Sequence, residues 1–312
     1  GAALLEFPGP PDGGTGTPVR SVGDQGCRLG ADMVAIPVFP SRRFMHALLS
    51  VNEDSGIEKP NELQGKRIGV GEYQQTASLW TRGVLQHDFG VDQFSVDWYM
   101  ERSEELSHGG ATGFKPMDGI KFHRIPSDKS LATMLTANEI DAAPMARAFT
   151  SEKNVIDRST TVRPSADALK KIKPLFPDFM AEGKRFFDTH GYIPANHCYA
   201  IRGDVYRKHP WVAFNLFAAF VKAKEHWYGE LSSKIPSDMV FGPQYMAQTR
   251  AMFGPDPYPY GVKDNAKMMQ TISALVSGEY CGCFISSVRR APRFSRRWVE
   301  ASRSEPNCAK AA

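Results

Sequence analysis

The sequence predicts an α/β protein, and three observations carry that expectation. Short apolar runs that read as strands recur along the chain, longer periodic segments that read as helices lie between several of them, and Gly and Pro punctuate both. With 312 residues, 42% hydrophobic and 23% charged, the chain can also bury a large core and divide into two domains. The predicted strands are short and apolar, at 33–39, 47–52, 66–70, 95–99, 121–124, 140–143 and 198–201. A helix is expected to begin near Tyr73 or Gln74. Its Ala77, Trp80, Val84 and Leu85 follow the spacing of one buried face, while Gln75, Arg82 and Gln86 fall away from it. The clearest helix runs over about 210–227, with Pro210 near its first position and Trp211, Phe214, Phe217, Phe220 and Val221 on the expected buried side. Residues 103–119 read as a polar, Gly-rich loop, and no internal repeat is visible.

The stretch GKRIGVGEYQQTASLWTRG at 65–83 carries the most chemistry. It reads as a strand, a turn eased by Gly69 and Gly71, and a helix start bearing ligand-type side chains. Unpaired N–H groups at a helix start favour a carboxylate or phosphate, and the helix dipole adds to the attraction. The finished G-x-G-x-x-G pattern is missing, because position 74 is Gln, and neither a phosphate-binding P-loop nor a G-x-S-x-G elbow occurs.

Charge and cysteine usage narrow the class. The net charge is +4, but residues 280–312 hold seven basic side chains against Glu300 and Glu305, which leaves the remaining 279 residues at −1. A basic tail on a near-neutral body reads as a solvated end, so no nucleic-acid partner is expected. Cysteines at 27, 198, 281, 283 and 308 lack any C-x-x-C pairing, which fits a reducing, cytoplasmic setting better than a disulfide framework. No apolar run approaches the ~18 residues of a membrane span, and no membrane partner is expected. Residues 1–32, with GPPDGGTGTP, read as an unpatterned leader, and 280–312 as a disordered basic tail.

The runs IPVFPSRRFMHALLSVN at 36–52 and ELQGKRIGVGEYQQTASLWTRGVLQHDFGV at 62–91 resemble the 4,5-dihydroxyphthalate decarboxylase family. LATMLTANEIDAAPMAR at 131–147, LFPDF at 175–179, GYIPANHCYAIRGDVYRKHPW at 191–211 and YPYG at 258–261 agree in order. The resemblance is specific in its SR-x-F-x-H, EYQ-x-T-A and G-x-x-P-x-x-H pieces. It implies a two-lobed fold similar to type 2 periplasmic binding proteins, with the ligand in an interlobe cleft. One lobe would comprise 33–65 with 197–279 and the other 66–196, since a segment like ELQGKRIGV opens the second lobe in that superfamily. The family's opening strand is not found in residues 1–31, so a fold lacking that strand is expected.

The resemblance implies cofactor-independent, non-oxidative decarboxylation of 4,5-dihydroxyphthalate or a related hydroxylated aromatic acid. The alternative is a solute-binding protein that closes on a small carboxylate. Protonating the ring carbon before carbon dioxide leaves avoids an unstabilised aryl anion. Such a site needs cations or dipoles for the carboxylates, an acid near the ring and an acceptor for the phenolic proton. His46 and His197 are the acid candidates, because imidazole titrates near neutrality. Glu72 is the candidate acceptor. Arg42 or Arg43, Arg82 and Arg147 are guanidinium candidates, and Ser41, Tyr73, Gln74 and Thr76 complete the expected walls. Each has a plainer reading: His46 as a core histidine, Arg82 as a solvent-facing charge two turns into its helix, one of Arg42 and Arg43 as surface, and Tyr73 as packing. His46, Glu72 and His197 would make a His-Glu-His metal set, but no local ligand spacing supports it and none is expected. The partner is then a small aromatic carboxylate, with a homo-oligomer left open.

Overall fold

The structure is a computed structural model that describes residues 32–103, 116–144, 162–238 and 240–280. The leader at 1–31, most of the Gly-rich loop, Arg147 and the basic tail from 281 lie outside the described residues. What is described is α/β with a mixed sheet. The first strand, β1 (Met33–Arg42), stands apart from it, and the chain enters the large sheet at β2 (Leu49–Asn52). A parallel unit follows: β3 (Arg67–Val70), α1 (Thr76–Phe89), β4 (Asp97–Met100) and β5 (Lys121–Arg124), in which β4 pairs parallel with both β3 and β5. Parallel strands need a crossover, and α1 supplies the first one. After α2 (Leu131–Thr136), β6 (Ala142–Pro144) joins β3 in parallel at Ile68 and Ala142. Past α3 (Ala166–Leu169), β7 (Ile172–Pro174) closes the edge by pairing antiparallel with β2. The strand order is β5-β4-β3-β6-β2-β7.

The chain then passes through α4 (Phe179–His190) into β8 (Ala195–Arg202), which pairs antiparallel with β1 as a separate two-stranded sheet. Its register shifts between Ile36 and Ser41 and again at Arg42. Helices α5 (Gly203–Lys208), α6 (Trp211–Asp238), α7 (Gly242–Phe253) and α8 (Ala266–Tyr280) follow. β2 lies in the stretch 33–65, which the sequence grouped with 197–279, yet it hydrogen-bonds within the large sheet to β6 and β7.

The main core surrounds α1. Trp80 and Trp98 are each 1% exposed, and indoles of that size remove ~200 Å² apiece from water, about 5 kcal/mol gross at 25 cal/mol per Å². The helix begins at Thr76, later than Tyr73 or Gln74, and its buried surface is wider than the expected single stripe. Every residue from Ser78 to Leu85 is buried. The reason is packing on two sides: α1 lies against the sheet and also against α8, where a Cβ on Gly83 would sit 2.6 Å from Leu275 Cδ1. A helix covered all round loses its amphipathic signature. Gly90, at φ 71°, then ends the helix in the left-handed conformation that suits glycine.

Gly69 has a different role from the turn expected of it. A Cβ there would meet Leu131 Cδ2 at 2.5 Å and Ile140 Cδ1 at 2.8 Å, so the missing side chain is what lets α2 and its loop close on β3. Neither Gly69 nor Gly71 has positive φ. Trp211 is likewise corrected: it is 59% exposed rather than buried. The inner face of α6 is set by Ala213, Phe214, Phe217 and Phe220 against Ile36, Val38 and Ile201. Two residues of helix turn Trp211 about 200° from Ala213, onto the opposite side.

Candidate functional site

The site grows from the ends of two parallel strands. Beyond β3 and β4 the backbone pairing continues, with Glu101 N–H donating to Val70 O at 3.0 Å and Arg102 N–H to Gly71 O at 3.1 Å. Residues 71–72 and 101–102 therefore run side by side, and this brings Glu72 to Arg102. Arg102 Nη1 donates to Glu72 Oε2 at 2.7 Å, with the side chains 7% and 0% exposed. Gln74 Nε2 also donates to Glu72, and Ser78 Oγ donates to its backbone carbonyl at 2.7 Å. With its amide oxygen turned to Arg102, Gln75 accepts from the two guanidinium Nη atoms at 3.0 and 3.1 Å. From β5, Arg124 Nη1 donates to the Arg102 carbonyl at 3.2 Å. Buried Glu101 accepts from Leu131 N–H at 2.9 Å, the first residue of α2. The carboxyl ends of parallel strands are where open α/β sheets hold ligands, and this cluster sits there beside the start of α1. Gln74, Gln75 and Thr76 are half-buried around Glu72.

Several sequence candidates turn inward instead. Tyr73 is buried, its hydroxyl donating to Gln93 Oε1 at 3.2 Å. Arg82, read as a clamp or a solvent-facing charge, is 1% exposed: its Cζ lies 3.7 Å from the Tyr73 ring centroid and its Nη1 donates to the Tyr73 carbonyl. The physical reason is the two-sided burial of α1, which makes the guanidinium fold back over an aromatic face.

His46 lies in the aromatic core at 0% exposure. Its ring meets Phe176 edge-on and Phe186 tilted, both at 5.5 Å. His46 Nε2 and Glu182 Oε1 are 2.6 Å apart. Burial pushes the imidazole below its usual range, with Glu182 opposing, so the ring is neutral and carries its hydrogen on Nε2 toward the carboxylate. Burial works against the Glu182 carboxylate too, but hydrogen bonds from His46 and Arg185 outweigh it and hold the carboxyl below the usual range. Arg185 continues to Asp88 at 2.9 Å, and His190 joins Asp88 at 3.0 Å.

The adjacent arginines split as strand neighbours must. Arg43 is exposed. Arg42 is 5% exposed and donates to Ile193 O and Pro259 O, both at 2.8 Å, and to Asn265 Oδ1. Burial pulls its guanidinium down to about 10, against the raising influence of Asp256 and nearby tyrosines. Arg42 thus fastens β1 to the 259–265 turn. Ser41 and His197 are cross-strand partners in the β1–β8 pair, and His197 is exposed. This wall is tied to the helix, since Trp80 Nε1 donates at 2.9 Å to the carbonyl of Ala195, two residues before His197.

Sequence reasoning missed Arg102, Glu101 and Glu182. For the first two the available signal was position, immediately after the predicted 95–99 strand and level with Glu72. Among the described residues, no three His, Cys, Asp or Glu side chains converge to hold a metal, and no helix is long and apolar enough to cross a membrane.

No family model matches the chain. Among curated proteins it is 29% identical over 243 residues to a 4,5-dihydroxyphthalate decarboxylase of Comamonas testosteroni, a match covering 77% of this chain and 70% of that protein. It is 38% identical over 109 residues to a 4,5-dihydroxyphthalate decarboxylase of Pseudomonas putida, covering 35% of this chain and 42% of the relative. Two relatives of one name, the first matched over 77% of this chain, support a kinship of this chain with the 4,5-dihydroxyphthalate decarboxylases.

Proposed function

We propose that this protein is a carboxy-lyase that removes one carboxylate, without a redox cofactor, from 4,5-dihydroxyphthalate or a closely related hydroxylated aromatic acid. The observation that carries the reading is the long match to a relative of that name. The strand-end cluster supports it chemically. Arg102, Gln74, Gln75 and Thr76 offer a cation, amides and the α1 start to a carboxylate, while Glu72 holds Arg102 and Gln74 in place. Glu72 is then a positioning residue rather than the acceptor of a phenolic proton.

In this reading His197 is the acid. Its imidazolium gives a proton to the ring carbon that bears the leaving carboxylate, helped by electrons from the para hydroxyl. The carbon–carbon bond then breaks, its electron pair returns to the ring and carbon dioxide leaves. Solvent restores the proton to His197, so one proton is consumed per turnover. His46, closed in the core on Glu182, supports that frame and does not touch substrate. The two-lobed, periplasmic binding protein-like arrangement, with lobes at 33–65 plus 197–279 and at 66–196, belongs to the same proposal. Its support is the β1–β8 pair, which hydrogen-bonds residues 33–42 to 195–202, two stretches far apart in the chain that the first lobe would bring together.

The test is incubation with 4,5-dihydroxyphthalate while following carbon dioxide and 3,4-dihydroxybenzoate. Equal amounts of both are expected, with turnover reduced at least a hundredfold in His197→Asn and substrate binding retained. Tight binding without turnover in the unaltered protein would leave a solute-binding protein instead.

A further inference from the structure

β8 carries an extra residue where it passes His197. Ser41 pairs with His197 and Arg42 with Ala195, so one step along β1 is matched by two along β8, and Asn196 is the residue left between them. Such a β-bulge re-aims side chains, and bulges are over-represented beside active sites. In an unbroken strand neighbours point to opposite faces. Here Asn196 Nδ2 stands 3.2 Å from His197 Nε2 and 3.4 Å from Nδ1, so the amide reaches the imidazole of its own neighbour. The bulge is anchored on the side before it. The Ala195 carbonyl accepts from Trp80 Nε1 at 2.9 Å, and Arg43 N–H donates to the Pro194 carbonyl at 3.0 Å.

Resting on the reading of His197 as the acid, we infer that Asn196 is its positioning residue and holds the imidazole in both protonation states that turnover requires. A neutral ring has one nitrogen without a hydrogen, which accepts from Nδ2. The imidazolium donates from both nitrogens, and the amide meets it by turning over so that Oδ1 accepts. Nothing ties the amide to one orientation, because Oδ1 is buried without a hydrogen-bond partner among the described residues. A carboxylate at position 196 would serve only the imidazolium, and an alkyl side chain neither form. Of the charged side chains on the neighbouring elements, Arg42 turns to Pro259 and Asn265, and Arg43 is exposed. On the α1 side Arg82 lies over Tyr73, and Glu72 is paired with Arg102. These are the same in every variant at position 196, so a change in the titration of His197 reports that position.

The test follows His197 through its titration in the full chain without substrate, by NMR with labelled histidine and the signal assigned through His197→Asn. The pH profile of kcat for 4,5-dihydroxyphthalate is measured beside it. In Asn196→Asp the His197 midpoint is expected to rise by about one pH unit. The limb on which activity falls toward alkaline pH moves up with it, and kcat below the midpoint stays within about threefold of the unaltered protein. Asn196→Leu is expected to lower kcat at least about tenfold with KM changed by less than about twofold. Circular dichroism checks that both variants fold, and where Asn196→Leu does not, Asn196→Asp alone decides. A midpoint that moves by less than about 0.2 pH units in Asn196→Asp overturns the inference. So does a folded Asn196→Leu with undiminished kcat. An unaltered protein that releases no carbon dioxide removes the decarboxylase reading, and the NMR titration then decides the hold of Asn196 on His197 by itself.

Discussion

Two buried acid–base clusters in this molecule differ in what surrounds them. His46 and Glu182 are walled by Phe176 and Phe186, and their charge is passed to Arg185 and Asp88. Glu72 and Arg102 sit at strand ends among half-buried amides and the start of a helix. A buried pair closed by aromatic rings can hold a core together. A carboxylate paired with an arginine at the carboxyl ends of parallel strands can hold a ligand-binding guanidinium in place. Residue type alone, including the presence of a histidine, does not separate the two.

The sharpest way to break the comparison is the double substitution Glu72→Gln with Arg102→Met. Removing both charges avoids stranding one, so stability should change by no more than about 2 kcal/mol. Turnover of 4,5-dihydroxyphthalate should fall by 10² to 10³, about 3 to 4 kcal/mol of barrier. Stopped-flow or steady-state kinetics on a protein with an unchanged melting profile would measure it, and undiminished turnover would move the site elsewhere.

His46→Ala should do the reverse. It leaves Glu182 buried with Arg185 as its remaining ion-pair partner, a loss of about 3 kcal/mol in urea unfolding. The kcat at a temperature where the variant is folded should be little changed. A hundredfold drop there would return His46 to the catalytic machinery.

A smaller effect follows from the direction of the His46 shift. Its folded value lies below the usual 6.5, so below that pH the unfolded chain binds a proton that the folded chain refuses. Stability is therefore full above about pH 6.5 and falls as pH drops below it. Glu182, also held low, adds a further loss below its usual carboxylate range. His46→Gln keeps a donor for Glu182 without titrating there, and its urea midpoint should be flatter between pH 7.5 and 5.5. The smallest effect belongs to exposed Arg43: Arg43→Ala should shift stability by less than about 0.5 kcal/mol and turnover by less than twofold.

Much of the fold was legible because strands and helices declare themselves locally. The runs at 33–39, 66–70, 121–124 and 198–201 reappear within β1, β3, β5 and β8. β7, drawn from the polar IKP, gave no such sign because an edge strand need not be apolar. The candidate site was half legible. Glu72, Gln74 and Thr76 were marked by the strand-to-helix motif, and Ser41 with His197 by their own motifs. Arg102 follows β4 with nothing distinctive around it, and only pairing with β3 sets it beside Glu72.

By itself the sequence determined the class, the strand-turn-helix at 65–83, the family resemblance, and the fact that one of Arg42 and Arg43 must face inward. Each depends on composition, on period or on neighbours in the chain. The tertiary structure decided what the side chains are for. Arg82 became a buried cap on Tyr73 because α8 covers the second side of α1, His46 became a core partner of Glu182, and Glu72 gained Arg102. Contacts between residues 30 to 136 positions apart are set by how helices pack on a sheet. A pattern with a period of two or 3.6 residues carries no information about them.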